Sequence, residues 1–598
     1  MGLLRPLTRG GSLANRPVSA GGVLLGDLLT MTCVARTIVV LLLSWMFLTG
    51  CTGQPEGQPI AVQSPRTSLV VLIVVDQFRG DYLTRWKDLL GKDGFRRLLD
   101  EGAWFTNCHY PFAGTMTGPG HATLATGCCP DQHGIVANEW YDRSAAEEVN
   151  CVTTRRYELV YPVRRPPGNQ PAPGASPERL LVETFADALK AQIGSQARVV
   201  TLSLKDRGAV LVGGKKPDVC CWMDSEGRLV TSRYYRDSVP LWGVEFVASG
   251  FTDRWQNQNW DRLRPDLDYT RYVGEDDAVG EELSRTFPHA LAGREKASRE
   301  KYFAALANSP FGNDLLLELA RRAIEEEQLG RRGITDFLSL SFSSNDLVGH
   351  AWGPDSHEVL DITLRTDQII RDLLALLEEQ IGKEACTVVL CADHGVCPLP
   401  ELSRKQGKDA RRFDLRTILI QAEEYLNQRF PAADKEQGGP TRWILSSASE
   451  MLYLNNRLAK QRGTSLAEVS RELAGWLPHQ PGILAAFTHQ ELTSENRSDE
   501  LFQMAKRSFH PSHSGDIFLI NKPYWLLTGQ QRGTSHGSPH AYDTHVPLLV
   551  WGQGIKPGVH ETRISPEVVP AILAAAAGIK PPAAAAQQVP IGVFAKNR

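Results

Sequence analysis

The chain has 598 residues, of which 65 are lysine or arginine and 68 are aspartate or glutamate, so its net charge is only −3. This balance offers no basic surface for a polyanion, and no nucleic-acid binding is expected. The hydrophobic content of 42% is ordinary for a globular protein, and the length suits either several domains or one large α/β enzyme with insertions.

The first predicted element is an apolar run at residues 38–48, which follows a single arginine, Arg36. It is shorter than the ~20 residues of a membrane-spanning helix and is typical of a signal peptide. The sequence Leu48-Thr49-Gly50-Cys51 that follows resembles a bacterial lipoprotein cleavage box. A plain secreted signal or a single membrane anchor is the alternative interpretation.

The lipoprotein interpretation divides the N-terminal region into two parts. Residues 1–51 are predicted to be a signal peptide with translation starting at Met31, and Cys51 is predicted to carry a lipid that is the only contact with a membrane. Residues 52–66 are rich in glycine, proline and glutamine and are predicted to form a tether. We therefore expect a protein of the cell envelope, in the periplasm or on the outer membrane.

Beyond the tether, apolar runs alternate with helical patterns, which predicts an α/β fold with a mostly parallel sheet. Four continuous apolar runs are predicted strands buried on both faces, at residues 68–75, 336–342, 387–392 and 545–551. A shorter strand is predicted at residues 197–204, and helices are predicted at residues 178–192, 315–329 and 467–477. Two segments without clear alternation are predicted insertions, near residues 208–310 and 398–515.

Each of the four long runs has a potential metal ligand beside it. Three runs are followed by Asp76, Asp346 and Asp393, and the fourth is preceded by His536. In open parallel sheets, ligands bind outside the carboxyl ends of the strands. The pattern therefore predicts an active site centred on metal ions at that edge of the sheet.

Two of these positions carry a second type of ligand. Asp346 and His350 lie one helical turn apart, so both can face one Zn²⁺ ion, although such a pair taken alone is more often a surface pair. Asp393 and His394 are adjacent at a strand end, where buried charge is normally paired or bound to a metal. Asp76 alone could equally be a structural cap.

Thr117 stands at the predicted start of a helix, after a turn shaped by glycine and proline. A helix N-terminus offers free N–H groups to a phosphate, and the threonine hydroxyl would be a nucleophile if a metal activated it. Without the accompanying metal ligands, a simple helix cap would be the better interpretation. The nearby His121 and His133 are interpreted as supporting or packing residues.

These motifs occur in the order found in the alkaline phosphatase superfamily, which the chain resembles over residues 68–555. They are Asp76, Thr117-Gly-Pro-Gly-His, Asp346-x-x-x-His350, Asp393-His394-Gly and His536-Gly. The resemblance is to the nucleotide pyrophosphatase/phosphodiesterase branch, most closely to its bacterial alkaline phosphatases with a threonine nucleophile. It implies an α/β sandwich with a mostly parallel central sheet flanked by helices, in a catalytic domain at residues 67–580. The insertions would form a cap, and residues 581–598 a C-terminal tail.

The resemblance also implies two zinc sites, with the ligands Asp346, His350 and His536 in the first and Asp76, Asp393 and His394 in the second. The Thr117 oxygen would be the reactive ligand of the second ion. His540 is the alternative to His536, and His545 is expected to be structural. Aspartate and histidine donors also admit Mn²⁺ or Co²⁺.

The expected substrate class depends on three further residues. The resemblance assigns Asn138, Lys205 and Arg207 to the phosphoryl oxygens, and the last two suit a monoester because it carries two negative charges rather than one. Small-molecule phosphate esters are the expected partners. Two alternatives remain: a phosphodiesterase or nucleotide pyrophosphatase on the same site, and a metal-stabilised surface lipoprotein without catalysis.

Nine cysteines remain when Cys33 and Cys51 are assigned to the signal peptide. In an oxidising periplasm some of them are expected to form disulfides, although the pairing cannot be deduced from the sequence. The vicinal pairs Cys128-Cys129 and Cys220-Cys221 are not expected to bond internally. None is interpreted as a metal ligand, because no CxxC spacing is present.

Overall fold

A computed structural model describes residues 67–163, 171–283, 285–291, 297–432 and 442–595. The predicted signal peptide, the lipidated cysteine and the tether lie outside the described residues, as do the last three residues of the predicted tail. Among the helices described, none combines the length and the apolar character needed to cross a membrane.

The structure contains strands along almost the whole described chain, numbered here in chain order. They are β1 Leu69–Val75, β2 Ala103–His109, β3 Glu139–Asp142, β4 Glu147–Asn150, β5 Thr153–Val160, β6 Pro173–Ala175, β7 Val199–Ser203, β8 Val219–Met223, β9 Leu229–Ser232, β10 Asn259–Trp260, β11 His289–Ala290, β12 Asp336–Phe342, β13 Cys386–Cys391, β14 Arg411–Arg412, β15 Ile444–Ala448, β16 Met451–Leu454, β17 Ile483–Thr488, β18 Ile517–Asn521, β19 Trp525–Leu526, β20 His545–Gly552 and β21 Gly558–His560.

The helices alternate with the strands for most of the chain. They are α1 Tyr82–Arg85, α2 Phe95–Glu101, α3 Thr117–Thr126, α4 Pro130–His133, α5 Phe185–Ile193, α6 Asp206–Gly213, α7 Leu241–Ala248, α8 Thr270–Val273, α9 Arg299–Ala307, α10 Phe311–Glu326, α11 Ser344–Trp352, α12 His357–Gln380, α13 Pro400–Lys405, α14 Leu415–Arg429, α15 Asn456–Gln461, α16 Leu466–Trp476, α17 His489–Ser494, α18 Glu500–Arg507, α19 Ala541–Thr544 and α20 Val569–Ala577.

The largest sheet has the strand order β21-β2-β20-β13-β1-β12-β7-β8-β9-β5-β6. Its centre, from β13 to β8, is parallel. Antiparallel pairs extend it on both sides, through β20 and β2 on one side and through β9, β5 and β6 on the other. This arrangement confirms the predicted α/β fold with a mostly parallel central sheet.

The parallel strands form because their side chains are apolar on both faces. Every residue of β1 is fully buried, and β12 and β13 are buried along their whole length. Helices α10 and α12 pack against each other in one group, and α3, α5, α6 and α20 contact one another in a second group. A sheet covered by helices on both faces requires such continuous apolar strands.

Several predicted boundaries are wrong by a few residues, for identifiable local reasons. The helix predicted at residues 178–192 begins only at Phe185, because Thr184 and Asp187 form a capping box that fixes its start. The first predicted insertion begins too early, because β8 lies inside it and pairs with β7 in the central sheet. The helix predicted at residues 467–477 is confirmed as α16, one residue earlier at each end.

The second predicted insertion forms a small domain-like layer of its own. Four antiparallel strands lie in the order β15-β16-β18-β17. Helices α14 and α16 contribute to a separate apolar cluster on this sheet. Its third strand, β18, lies just beyond the predicted end at residue 515.

The expectation of disulfide bonds is wrong in this structure. All nine cysteines after Cys51 are free and buried. Cys108, Cys386 and Cys391 lie within strands of the central sheet, where the side chain packs as a small apolar group.

Gly120 allows α3 to pack tightly against the end of β13. A Cβ atom at this position would lie 2.2 Å from the carbonyl oxygen of Asp393 and 2.7 Å from its Cβ atom. Atoms of the backbone cannot give way as the tip of a flexible side chain can. Helix α3 can therefore lie this close to Asp393 only because residue 120 has no side chain.

We predict that Gly120→Ala lowers the thermal denaturation temperature, because overpacking at such a contact costs about 1–3 kcal/mol. Gly475→Ala in α16 is the matched control, since no atom lies within 4 Å of its new Cβ. That substitution should stabilise the helix by about 0.5–1 kcal/mol. Equal denaturation temperatures for Gly120→Ala and the wild type would show that the close approach does not hold α3 in place.

Candidate metal centre

The predicted site residues meet at one edge of the central sheet. Asp76 directly follows β1, Asp393 and His394 follow β13, and Asp346 lies in the first turn of α11, just after β12. Because these strands are parallel and adjacent, their carboxyl ends bring together residues that are hundreds of positions apart in the chain. Strand β20 runs the opposite way, so the segment that precedes it, with His536, reaches the same edge.

The first group of potential ligands consists of Asp346, His350 and His536. The Nε2 atoms of His350 and His536 lie 3.2 and 3.8 Å from Oδ1 of Asp346. One donor atom from each residue falls within 4.8 Å of the others. His540 lies elsewhere, with Nε2 donating to the carbonyl oxygen of Asn521 at 3.0 Å, so the geometry favours His536 as the third member.

The second group consists of Asp76, Asp393 and His394, all fully buried. The Nε2 atom of His394 lies 3.5 Å from Oδ1 of Asp76 and 3.6 Å from Oδ2 of Asp393. The hydroxyl oxygen of Thr117, at the first position of α3, lies 3.4 Å from the same Nε2 atom. The predicted nucleophile therefore contacts the second group.

Three backbone carbonyl groups orient the three imidazole rings. The Nδ1 atoms of His350, His536 and His394 donate to the carbonyl oxygens of Thr534, Thr115 and Gly395, at 2.7, 2.8 and 2.9 Å. With the proton held on Nδ1, each Nε2 atom presents a lone pair to the carboxylates of its group. Such outer hydrogen bonds are typical of histidines that bind a metal.

The electrostatics of the site suit divalent cations. Burial raises the pKa of Asp76 well above its usual value, and the negative charges of Asp346 and Asp393 raise it further. Burial likewise lowers the pKa of His536 well below its usual value, as do the neighbouring rings of His394 and His350. A neutral imidazole such as that of His536, beside crowded carboxylates, is the form that binds a metal ion.

One carboxylate oxygen gives a further indication that the site binds a metal ion. Oδ1 of Asp76 is buried and accepts no hydrogen bond. A buried acceptor without a partner costs about 1–3 kcal/mol, and more when it is charged. Together with two sets of mixed carboxylate and imidazole donors, this oxygen fits a bound metal ion better than it fits a closed protein interior.

Lys205 lies between the two groups. Its Nζ atom donates to Oδ2 of Asp76 at 2.7 Å and to Oδ2 of Asp346 at 2.5 Å. Burial would raise the pKa of Asp346, but the positive charge of Lys205 and the contact with His350 hold it well below its usual value. This one ammonium therefore neutralises carboxylates of both groups.

The other two residues predicted to bind phosphate lie beside this centre. Asn138 accepts a hydrogen bond from the backbone N–H of Gly118 at 2.7 Å, which places its amide at the start of α3. Arg207 lies in the first turn of α6, two residues from Lys205, and its Nε atom is buried without a hydrogen-bond partner. Asn138 therefore lies beside Gly118, the neighbour of Thr117, and Arg207 follows Lys205 at the start of α6.

Sequence reasoning missed Gln77, which links the two groups. Its backbone N–H donates to Oδ1 of Asp393 at 3.1 Å, and its Nε2 atom donates to Oδ1 of Asp346 at 2.7 Å. The residue has a positive φ of 64°, a conformation that is uncommon outside glycine. A Cβ atom at Gly349 would lie only 1.8 Å from its Oε1 atom. A lone glutamine after Asp76 carries no sequence signal that could have revealed this contact.

His121 supports the second group, as interpreted from the sequence. Its Nδ1 atom lies 3.1 Å from Oδ2 of Asp393 and 2.9 Å from the carbonyl oxygen of Thr117. Its Nε2 atom contacts the hydroxyl of Ser341 at 2.8 Å. The ring therefore holds the aspartate against α3 rather than occupying a ligand position.

Comparison with known proteins identifies the family of the chain. A family model described as type I phosphodiesterase / nucleotide pyrophosphatase matches residues 70–543. The chain is 32% identical over 517 residues to a protein of Myroides odoratus named calcium-transporting ATPase, covering 84% of this chain and 91% of that protein. It is 30% identical over 538 residues to alkaline phosphatase PafA of Elizabethkingia meningoseptica, covering 88% and 94%.

The likeness extends to three-dimensional structure. The crystal structure of wild-type PafA superposes with a TM-score of 0.80 at 29% sequence identity, covering 89% of this chain and 99% of that one. The match to the family model spans most of the chain and includes every predicted ligand as well as Thr117. The predicted resemblance is thereby confirmed: the chain belongs to the type I phosphodiesterase / nucleotide pyrophosphatase family.

Proposed function

We propose that this protein is an alkaline phosphatase that hydrolyses phosphate monoesters through a phosphothreonine intermediate. The observation that carries the proposal is the position of Lys205, whose Nζ atom contacts both groups of metal ligands. Arg207, two residues further along the chain, is the second cationic side chain that would serve the phosphoryl group. Two Zn²⁺ ions are the proposed cofactors, and the same donors would also accept Mn²⁺ or Co²⁺.

Residues of the chain itself account for the binding of the phosphoryl group. Asn138, Lys205 and Arg207 would hold its non-bridging oxygens, where charge is spread in the transition state. Arginine offers paired donors, whereas lysine offers a point charge. A metal pair in such a site acidifies an attacking hydroxyl and stabilises a leaving oxygen. Asp346, His350 and His536 would hold one ion, and Asp76, Asp393 and His394 the other.

The reaction would proceed in two displacements at phosphorus. The hydroxyl of Thr117 gives its proton to solvent, and its oxygen forms a bond to phosphorus as the bond to the alcohol oxygen breaks. The departing oxygen takes up a proton from solvent and leaves as the alcohol. Water then attacks phosphorus, the bond to the threonine oxygen breaks, and phosphate leaves while Thr117 regains a proton. Two in-line steps give retention of configuration at phosphorus.

The family description supports a second candidate, cleavage of phosphate diesters on the same site. A diester carries one negative charge rather than two, so it would gain less from Lys205 and Arg207. The relative from Myroides odoratus carries the name of an ATPase, and release of phosphate from ATP would use the same nucleophile and oxygens. The name of PafA agrees with the proposal for monoesters.

For the whole chain we propose a lipoprotein of the cell envelope that acts on small-molecule phosphate esters. The cleavage box that ends at Cys51 supports a signal peptide over residues 1–51, followed by the tether at residues 52–66. The catalytic domain would extend over residues 67–580, with residues 581–598 as its tail. An acyl chain on Cys51 would be the membrane contact.

We predict that Thr117→Ala abolishes turnover of p-nitrophenyl phosphate while the protein still binds two metal ions. Alanine removes the attacking oxygen but leaves all six aspartate and histidine ligands in place. The measurement combines initial rates with metal content by mass spectrometry. Thr123→Ala, which alters a buried threonine of the same helix that contacts His133, is the control. Loss of metal from Thr117→Ala would contradict the role assigned to it.

We also predict that the substrate preference depends on Lys205 and Arg207. The ratio of kcat/KM for p-nitrophenyl phosphate to that for bis-p-nitrophenyl phosphate should favour the monoester strongly in the zinc-loaded protein. In Lys205→Ala/Arg207→Ala it should fall by about a hundredfold or more, because each charge-assisted hydrogen bond is worth about 1.5–3 kcal/mol.

The control for this experiment removes two other cations. Lys215→Ala/Lys216→Ala alters exposed side chains just after α6 and should leave the ratio unchanged. A preference for the diester that the double substitution at Lys205 and Arg207 does not alter would overturn the proposal and favour phosphodiesterase activity.

A further inference from the structure

One turn of the inserted sheet, which consists of β15, β16, β18 and β17, lies beside residues that adjoin the metal centre. Ser449 and Glu450 connect β15 to β16, and both have positive φ angles, 50° and 62°. Such a turn normally contains asparagine or glycine, because other residues are strained there. A serine and a glutamate at these two positions indicate that the side chains serve a purpose that offsets the strain.

The turn is fixed at both sides. The backbone N–H of Leu519, in the neighbouring strand β18, donates to the carbonyl oxygen of Glu450 at 2.7 Å. The hydroxyl of Ser449 donates to the carbonyl oxygen of Glu139 at 3.3 Å, and Glu139 directly follows Asn138. The turn is thus tied both to the inserted sheet and to the strand that begins beside the phosphate-binding asparagine.

The carboxylate of Glu450 lies next to residues that adjoin the site. A Cβ atom at Gly537 would lie 3.7 Å from each carboxylate oxygen of Glu450 and 3.2 Å from the Cε atom of Met116. Gly537 follows the predicted ligand His536, and Met116 precedes Thr117. The carboxylate therefore borders the side of the centre on which His536 lies.

Within the part of the chain that the structure describes, no hydrogen bond reaches one oxygen of this carboxylate. Its Oε2 atom is buried and has no hydrogen-bond partner. Removal from water raises the pKa of Glu450 to about 8, and the negative charge of Asp543 acts in the same direction. Ionisation of a carboxyl group without a hydrogen-bond partner is unfavourable, and the backbone strain of the turn adds to the cost of presenting it there. A ligand that brings a hydrogen-bond donor would satisfy it.

We infer that Glu450 is a specificity-determining residue that contacts the leaving group of the substrate and favours leaving groups with an ammonium or another strong donor. The inference rests on the proposed function. Because Thr117 contacts the group of Asp76, Asp393 and His394, in-line attack would send the alcohol toward the other group, Asp346, His350 and His536. A chain extending from that oxygen past Gly537 meets the carboxylate of Glu450. The core of the protein would then select the phosphate, and the inserted sheet would select the alcohol.

The test compares two monoesters of nearly equal shape, O-phosphoethanolamine and n-propyl phosphate. They differ in the ammonium that replaces a methyl group. The quantity measured is the ratio of their kcat/KM values with the zinc-loaded protein. Glu450→Gln keeps the shape of the side chain but removes the charge, whereas Glu450→Asn also suits a positive φ and guards against a folding defect. Glu424→Gln, an exposed glutamate in α14, is the matched control.

We expect the ratio to fall by about tenfold to a hundredfold in both Glu450 variants, the amount expected for a lost charge-assisted hydrogen bond, with propyl phosphate turnover and the control unchanged. A ratio that stays at the wild-type value in Glu450→Gln and Glu450→Asn overturns the inference while the phosphatase activity stands. Failure of the wild type to hydrolyse either ester overturns the proposed function, and the inference with it.

Discussion

The structure depends on the concentration of negative charge at one edge of a sheet. Asp76, Asp346 and Asp393 are almost fully buried at the ends of three adjacent strands. Carboxylates this close cannot all remain ionised in a poorly hydrated interior unless cations accompany them. Lys205 supplies one positive charge, which is fewer than the carboxylates require. Divalent cations held between these carboxylates and the imidazoles of His350, His394 and His536 would supply the remaining positive charge.

The topology of the sheet makes this convergence possible. The parallel order β13-β1-β12-β7 places four carboxyl ends side by side, and each end is followed by a residue of the candidate site. The antiparallel strand β20 brings the chain back to that edge from the opposite direction, so that His536 completes the first group before β20 begins. Gly120 and Gln77 then fix the spacing, one by allowing α3 to approach Asp393 and the other by bridging Asp393 and Asp346.

Much of this could be predicted from the sequence, because buried parallel strands are continuous apolar runs and a polar residue at their end is conspicuous. The strands near Asp76, Asp346 and Asp393 were identifiable for that reason, and so were their partners His350 and His394. The contacts of Gln77 could not be predicted, since they depend on a left-handed backbone conformation. That the nine described cysteines are all free was also missed, because the number of cysteines says nothing about which of them face each other.

The strands and the turn of the inserted sheet could not be predicted from the sequence. Its strands lack the long apolar runs of the core, and its turn at Ser449 and Glu450 contains no glycine or asparagine to mark it. The backbone strain at these two residues and the unpaired oxygen of Glu450 have an explanation only if the turn acts on the site beside it. Strand ends of a rigid sheet hold the groups that must be placed accurately around phosphorus. Residues in a turn of a separate sheet can be substituted without moving those groups. The turn is therefore a suitable place for the residue that selects the alcohol.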